Sequence, residues 1–424
     1  MEKLEKDIKS WLPVTWKEVE LRAWNELDII LFSGDAYVDH PSFGAAIIAR
    51  VAENMGCKVA IVPQPNWRDD LRDFKKFGKP RLFFAVTSGN MDSMINHYTA
   101  NLRLRQDDAY TAGGKAGNRP DYATTVYSRI LKKLFPESPV IIGGIEASLR
   151  RLTHFDYWSG SLKKSILSDS NADLLVYGMG EKAIREIISA LKNGKQIHEI
   201  NNLPQTAFRC NDYKTLPAIA ENKILYPYNE CLKDKAKFGK NFTVIEEESN
   251  KQESSRLIEK SDGHYIVVNP PYSSITAEEL DSYYELPFTR LPHPKYKLPV
   301  PAFEMIKYSL SIHRGCFGGC SFCTLAAHQG KFIQSRSEKS ILNEVIKITG
   351  MPEFKGYLSY AGGPSANMYS LTGIELEVCK KCKKPSCIFP VVCSNLNTNH
   401  EPLLKLYRKL RSIPAIKKVT IGSG

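Results

Sequence analysis

The stretch Ser309–Arg336 reads SLSIHRGCFGGCSFCTLAAHQGKFIQSR, and the rest of the chain has to be arranged around it. Its three cysteines are spaced Cys316-x3-Cys320-x2-Cys323 and follow an alternating run, Tyr308 to Ile312, that reads as a strand. Thiolates this close in sequence reach one metal centre only from a tight loop, and Gly315, Gly318 and Gly319 give that loop its backbone freedom. Three thiolates are one short of a closed site. In an iron-sulfur cube the missing ligand leaves one iron open to a substrate, as catalytic zinc keeps a free position that structural zinc lacks.

With Phe322 directly before Cys323, the triplet resembles the signature of the radical S-adenosylmethionine (SAM) enzymes. The resemblance implies that Cys316, Cys320 and Cys323 hold a 4Fe-4S cluster whose open iron binds the amino and carboxylate groups of SAM. One electron then cleaves SAM to methionine and a 5'-deoxyadenosyl radical, which abstracts hydrogen from a substrate. The flanking words His313-Arg314-Gly315 and His328-Gln329-Gly330 are more specific than the triplet, and with them the chain resembles the YgiQ family of radical SAM proteins. A one-electron donor such as flavodoxin or ferredoxin is implied as a partner. Three buried or zinc-bound thiols are the plain alternative, but spacing, glycines and upstream strand agree on the cluster.

At 424 residues the chain is long enough for two or three domains with a sizeable core. Hydrophobic residues at 42% and charged residues at 25% are ordinary for a globular protein and argue against global disorder. The start, MEKLEKDIKSWLP, carries charges of both signs and no apolar run of signal-peptide length, and no stretch approaches a membrane span. A cytoplasmic protein without membrane partners is expected. Seven of the ten cysteines lie after residue 315 in metal-like spacings, which favours a reducing compartment over disulfides. Residues 301–424 hold seventeen Lys and Arg against seven Glu and no Asp, much of the overall net charge of +12. Such a concentration makes nucleic acid a candidate partner, although metal-bound thiolates would themselves call for nearby lysines.

Residues 28 to 192 alternate strand and helix. Apolar runs at Ile29–Phe32, Val59–Val62, Leu82–Val86, Val140–Ile142 and Leu174–Tyr177 read as buried strands, with helices at Phe43–Met55, Ala123–Phe135 and Lys182–Lys192. The pattern predicts an α/β fold, a doubly wound parallel sheet over residues 1–192, with ligands at the carboxyl ends of its strands. This part resembles the Rossmann-like amino-terminal domain of YgiQ proteins, related to cobalamin-binding domains. Cobalamin domains that ligate through histidine carry Asp-x-His-x-x-Gly, whereas here Asp39 and His40 are adjacent and Gly44 lies four residues on, so cobalamin is not expected. The polar segment Thr87–Tyr122 is long enough to reach over a barrel mouth, where Asn90, Asp92, His97 and Arg105 would meet substrate. Residues 193–300 read as a connector, with a strand at His264–Val268, a capping box at Thr276-x-x-Glu279 and an extended proline-rich passage from Pro287 to Pro301.

A second group follows as Cys379-x2-Cys382-x4-Cys387-x5-Cys393, interleaved with Lys380, Lys381, Lys383 and Lys384. It is a candidate second metal site, for zinc ahead of a second iron-sulfur cluster, with Cys393 its weakest member because Val391-Val392-Cys393 reads as a barrel strand. Residues 301–424 are expected to form an incomplete radical SAM (β/α) partial barrel of four strands: Tyr308–His313, Gly356–Tyr360, Pro390–Cys393 and Lys418–Ile421. Six strand-helix units would need about 180 residues. From Tyr308 onward there are 117, so the chain reads as truncated after its fourth strand, with weak SAM affinity expected. By the resemblance, Gly362-Gly363-Pro364 stands where the family's Gly-Gly-Glu motif contacts the SAM amino group, without the acidic residue, and Ser423 in the final turn stands near the SAM ribose. The leading reading is a radical SAM enzyme acting on an unknown substrate. The alternative is an inactive fragment or a metal-dependent nucleic-acid-binding protein on the same scaffold.

Overall fold

The computed structural model describes residues 7–351 and 353–422. Its largest element is a nine-stranded sheet built from β1 (Ile29–Ser33), β2 (Val59–Pro63), β3 (Phe83–Thr87), β4 (Val140–Gly143), β5 (Leu174–Val176), β6 (Thr206–Cys210), β7 (Asn222–Ile224), β8 (Arg256–Ser261) and β9 (His264–Val268). They lie side by side in the order β2-β1-β3-β4-β5-β6-β9-β8-β7. The first five are mutually parallel, and the reversal of winding between β1 and β3 makes the switch point where doubly wound sheets bind ligands. Runs such as Ile29-Ile30-Leu31-Phe32 have no polar face because both faces are covered. Ile29 and Leu31 pack under the helices Gly44–Asn54 and Glu181–Lys192, while Ile30 and Phe32 pack under Ala123–Leu134.

Every strand and helix expected between residues 28 and 192 is present within a residue or two. The stretch 193–300 does more than connect. It supplies β6 to β9, which extend the same sheet beyond β5: β6 pairs antiparallel with β5, β9 antiparallel with β6 and β8 antiparallel with β9, and β8 and β9 are joined by a two-residue turn, Asp262-Gly263, with both φ angles positive. Thr276 caps the helix Ala277–Tyr284 through the Glu279 N–H, as its spacing requires. The proline-rich passage is strapped to the sheet domain: Leu291–Pro292 pairs with Val38–Asp39, and the Thr289 N–H donates to Asp39.

Beyond residue 300 the strand Ser309–Ser311 pairs in parallel with Tyr360–Gly362, and Tyr357–Leu358 pairs in parallel with Lys418–Val419. These form three barrel positions, not four. The strand expected at Pro390–Cys393 does not form: Val391 and Val392 are exposed, and the segment belongs to an excursion between Gly362 and the helix Glu401–Ser412. A separate core fills the space between these strands and the helices Glu338–Thr349 and Glu401–Ser412, centred on Leu310, Ile341, Val345, Leu358, Leu406 and Leu410. Ser423 and Gly424 lie outside the described residues. No helix among the described residues is long and apolar enough to cross a membrane.

Candidate functional site

The first cysteine group occupies a loop pinched at its base. Just past the first barrel strand, His313–Arg314 pairs antiparallel with Gln334–Ser335, so residues 315–333 form a closed excursion. The two signature words close it further. Gln329 Oε1 accepts from the Gly315 N–H (3.2 Å) and the Gly330 carbonyl from the Cys316 N–H (3.1 Å). Gly315 sits at φ +87°, with the Phe332 carbonyl 2.3 Å from where a Cβ would stand, so no other residue fits. The Gly318 Cβ position is 3.4 Å from Cys316 Sγ and 3.7 Å from Cys320 Sγ, so both thiols gather over this bare backbone. Cys320 is exposed, Cys316 and Cys323 are partly buried, and Phe322 stands in solvent. Burial is the main cause raising the Cys316 thiol, with Cys323 and Cys320 close enough to add to it.

The same words sew the loop to the sheet. Arg314 is buried and ion-pairs with Glu181, the first residue of the helix Glu181–Lys192, at 2.8 Å, and its Nε donates to the Tyr284 hydroxyl at 3.1 Å. His328 Nδ1 lies 3.0 Å from Ser148 Oγ, which also accepts the Gly178 N–H and donates to the Gly144 carbonyl. Burial lowers both His313 and His328 to about 4, so each is neutral at physiological pH. Sequence reading singled out these words without their structural duty, which joins residues more than a hundred positions apart.

Between the carboxyl ends of the parallel strands and the barrel lies a cavity of about 450 Å³. Gly143, Gly144, Gly178 and Gly180 border it on the sheet side, and Ser311, His313, Gly362 and Gly363 on the barrel side. It reaches both shoulders of the cysteine loop, at Arg314 and Leu325. Gly362 and Gly363 are spacers for rings: a Cβ would stand 2.4 Å from the Tyr360 hydroxyl at the first and 2.4 Å from His313 Nε2 at the second. Their carbonyls each already accept one internal donor, Ile312 N–H and Tyr360 O–H, leaving one lone pair apiece.

The polar residues expected over the barrel mouth have structural partners. Asn90 caps the helix Gly44–Asn54, and of the four it alone lines the cavity; Asp92 pairs with Arg150, His97 with Asp121, and Arg105 donates to the Ile95 and Tyr98 carbonyls. His40 is fully buried, with its Nδ1 accepting from the Ser42 N–H, and is not among the cavity's lining residues.

The second group packs directly against the first. The Cys387 N–H donates to the Phe317 carbonyl (3.0 Å), and the Gly319 Cβ position is 2.8 Å from both the Pro385 carbonyl and Ser386 Cβ. Cys379, Cys382, Cys387 and Cys393 lie close enough for burial and mutual repulsion to raise Cys379 and Cys387 together. Among the described residues no three His, Cys, Asp or Glu side chains converge on one point, as ligands of a single ion must. A cube spreads its thiolates one to each iron, and the triplet at 316–323 fits that donor set. The lysines around the second group are compensated in part: Lys380 pairs with Glu377 and Glu253, and Lys383 with Glu247.

A family model for the radical SAM N-terminal region matches residues 11–309. A UPF0313 protein from Bacteroides thetaiotaomicron is 59% identical over 98% of this chain and 69% of its own length. One from Porphyromonas gingivalis is 56% identical over 98% of this chain and 66% of its own. The chain therefore spans about two thirds of the curated relatives it matches, 64% of a 45% identical protein from Rhodopseudomonas palustris. Among solved structures, the radical S-adenosylmethionine methyltransferase TsrM from Kitasatospora setae, with tryptophan substrate and a SAM analog bound, aligns at TM-score 0.43 and 13% identity, covering 80% of this chain and 47% of that one.

Proposed function

The chain belongs to the UPF0313, YgiQ-type family of radical SAM proteins, and from that premise we propose that it binds a 4Fe-4S cluster and SAM to modify a substrate of unknown identity. The observation that carries the proposal is the pinched loop that carries Cys316, Cys320 and Cys323, with Cys316 and Cys320 both over Gly318 and no fourth cysteine within it. Bound there, the cluster and SAM supply a 5'-deoxyadenosyl radical, the hard chemistry that side chains cannot perform.

The chain's own residues do the rest. Cys316, Cys320 and Cys323 would hold the cluster, one thiolate to each of three irons. Arg314, clamped by Glu181 and Tyr284, and His328, held by Ser148, fix the loop's shoulders at the cavity rim. The cavity is of the size that takes a small ligand, and Ile47, Ile48, Ile141 and Val176 give it apolar wall. Gly362 and Gly363, on the barrel side of the cavity, would accept from the SAM ammonium with the remaining lone pairs of their carbonyls. The electron comes from outside, from a flavodoxin- or ferredoxin-like donor.

The test is an anaerobic incubation of the reconstituted chain with SAM and dithionite, reading 5'-deoxyadenosine. The expected result is product from the wild-type chain and none when Cys316, Cys320 and Cys323 are all changed to alanine. No product from either, or equal product from both, contradicts the proposal.

A further inference from the structure

We propose that Cys379, Cys382, Cys387 and Cys393 ligate a second iron-sulfur cluster, set beside the loop that holds the first. Four thiols on an excursion of the barrel, brought into one neighbourhood, need a reason to be there. Their backbone is closed at both ends: the Cys382 N–H donates to the Cys379 carbonyl in a short turn (3.1 Å), and the Cys393 N–H closes a longer loop onto the Cys387 carbonyl (2.8 Å). The excursion is anchored from outside the barrel, since the Gln252 and Glu253 N–H groups both donate to the Lys380 carbonyl.

The independent observation is Lys331. It is 3% exposed, and its Nζ donates to the Lys384 carbonyl at 2.6 Å and to Cys382 Sγ at 3.5 Å. No carboxylate among the described residues pairs with it. A buried ammonium is costly without a countercharge, and beside the Lys384 carbonyl and the Phe332 ring the one group here that can become an anion is the Cys382 sulfur. A metal-bound set of four thiolates carries net negative charge and meets that need. Asn395 Nδ2 adds a second donor at 3.3 Å from Cys379 Sγ, and the Gly373 Cβ position is 2.5 Å from the same sulfur, so glycine keeps that side open. Hydrogen bonds to ligand sulfur are among the levers that tune an iron-sulfur potential.

The choice between one ion and a cluster follows from spacing. Zinc at 2.3 Å from each sulfur draws four thiols to a point. No three His, Cys, Asp or Glu side chains among the described residues are drawn together in that way, at this group or at the triplet 316–323. A cluster accepts the wider spread. This reverses the expectation of zinc first. The two groups meet at a small apolar cluster of Phe317, Met368 and Leu371, against which Cys316 and Cys387 both pack.

The experiment compares the full chain, the triple variant Cys316→Ala/Cys320→Ala/Cys323→Ala and the quadruple variant Cys379→Ser/Cys382→Ser/Cys387→Ser/Cys393→Ser. Each is stripped of metal, reconstituted anaerobically with iron and sulfide in the presence of zinc, and analysed for iron, zinc and acid-labile sulfide. The quadruple variant is expected to hold about four irons and four sulfides fewer than wild type, and the triple variant to retain about four of each. Unchanged iron in the quadruple variant overturns the proposal. So does a triple variant that holds one zinc without sulfide, or no metal. If circular dichroism shows one variant unfolded, the other decides alone. A failure confined to the first loop is distinguishable, because the triple variant would then keep all the iron of the wild type while the quadruple variant lost it.

Discussion

Glu259 shows how a single buried carboxyl writes itself into the pH dependence of the fold. It sits on β8 with one oxygen accepting the Thr153 N–H at 2.9 Å, and burial raises its pKa from 4.5 to about 7 against that hydrogen bond. In the unfolded chain the group ionises near its ordinary value. Between pH 4.5 and about 7 the folded state therefore holds more protons than the unfolded one, and stability falls as pH rises through this window. The shift corresponds to about 3 kcal/mol lost between pH 4 and pH 8. Glu259→Gln keeps the shape without the charge. Urea unfolding at both pH values should show that much less decline in the variant, and an identical decline in the two proteins would contradict the assignment. Residue chemistry of this kind was closed to sequence reading: Asp262-Gly263 signals a turn after Glu259, but nothing in the chain says that Glu259 itself is buried.

At the scale of elements, the first barrel strand is held by a buried triad. Glu344, on the helix Glu338–Thr349, pairs with both Arg290 and Arg336. Those arginines also donate to the Ser309 and Ser311 carbonyls, and Arg336 lies 4.1 Å over the Tyr284 ring. Burial pushes the Glu344 carboxyl up, but the two guanidinium groups win and hold it below its ordinary range. Glu344→Gln leaves two buried cations without a countercharge, which costs about 3–5 kcal/mol. Denaturant unfolding should reveal that loss, and a change below 1 kcal/mol would show that the triad does not hold the strand. The elements were unevenly legible. The strands β1 to β5 were readable because full burial gives uninterrupted apolar runs. The hairpin of β8 and β9 carried its own signal in Asp262-Gly263, a two-residue turn pair, but the Lys- and Glu-rich helix Lys235–Ser249 before it gave the whole region the look of a spacer. Val391-Val392 misled for the opposite reason: β-branched residues suit a strand, yet here the neighbouring cysteines fix a loop and leave Val391 78% exposed.

At the scale of the molecule, sheet and barrel act as one body around a shared cavity. Contacts between distant positions make the seam: Arg314 with Glu181, His328 with Ser148, and Leu291–Pro292 with Val38–Asp39. The three cysteines of the first loop stood out in the sequence because all three fall between residues 316 and 323. Lys331 did not, since its contact with Cys382 spans a stretch that only the fold closes. The central claim is that Cys316, Cys320 and Cys323 hold a cluster with one iron open to SAM. The most direct measurement is the electron paramagnetic resonance spectrum of the reconstituted, dithionite-reduced chain with and without SAM. The account predicts a reduced-cluster signal whose g values move when SAM is added, in the wild type and not in the chain with Cys316, Cys320 and Cys323 changed to alanine. A spectrum indifferent to SAM in the wild type, or a SAM-sensitive signal that survives those three substitutions, would contradict it.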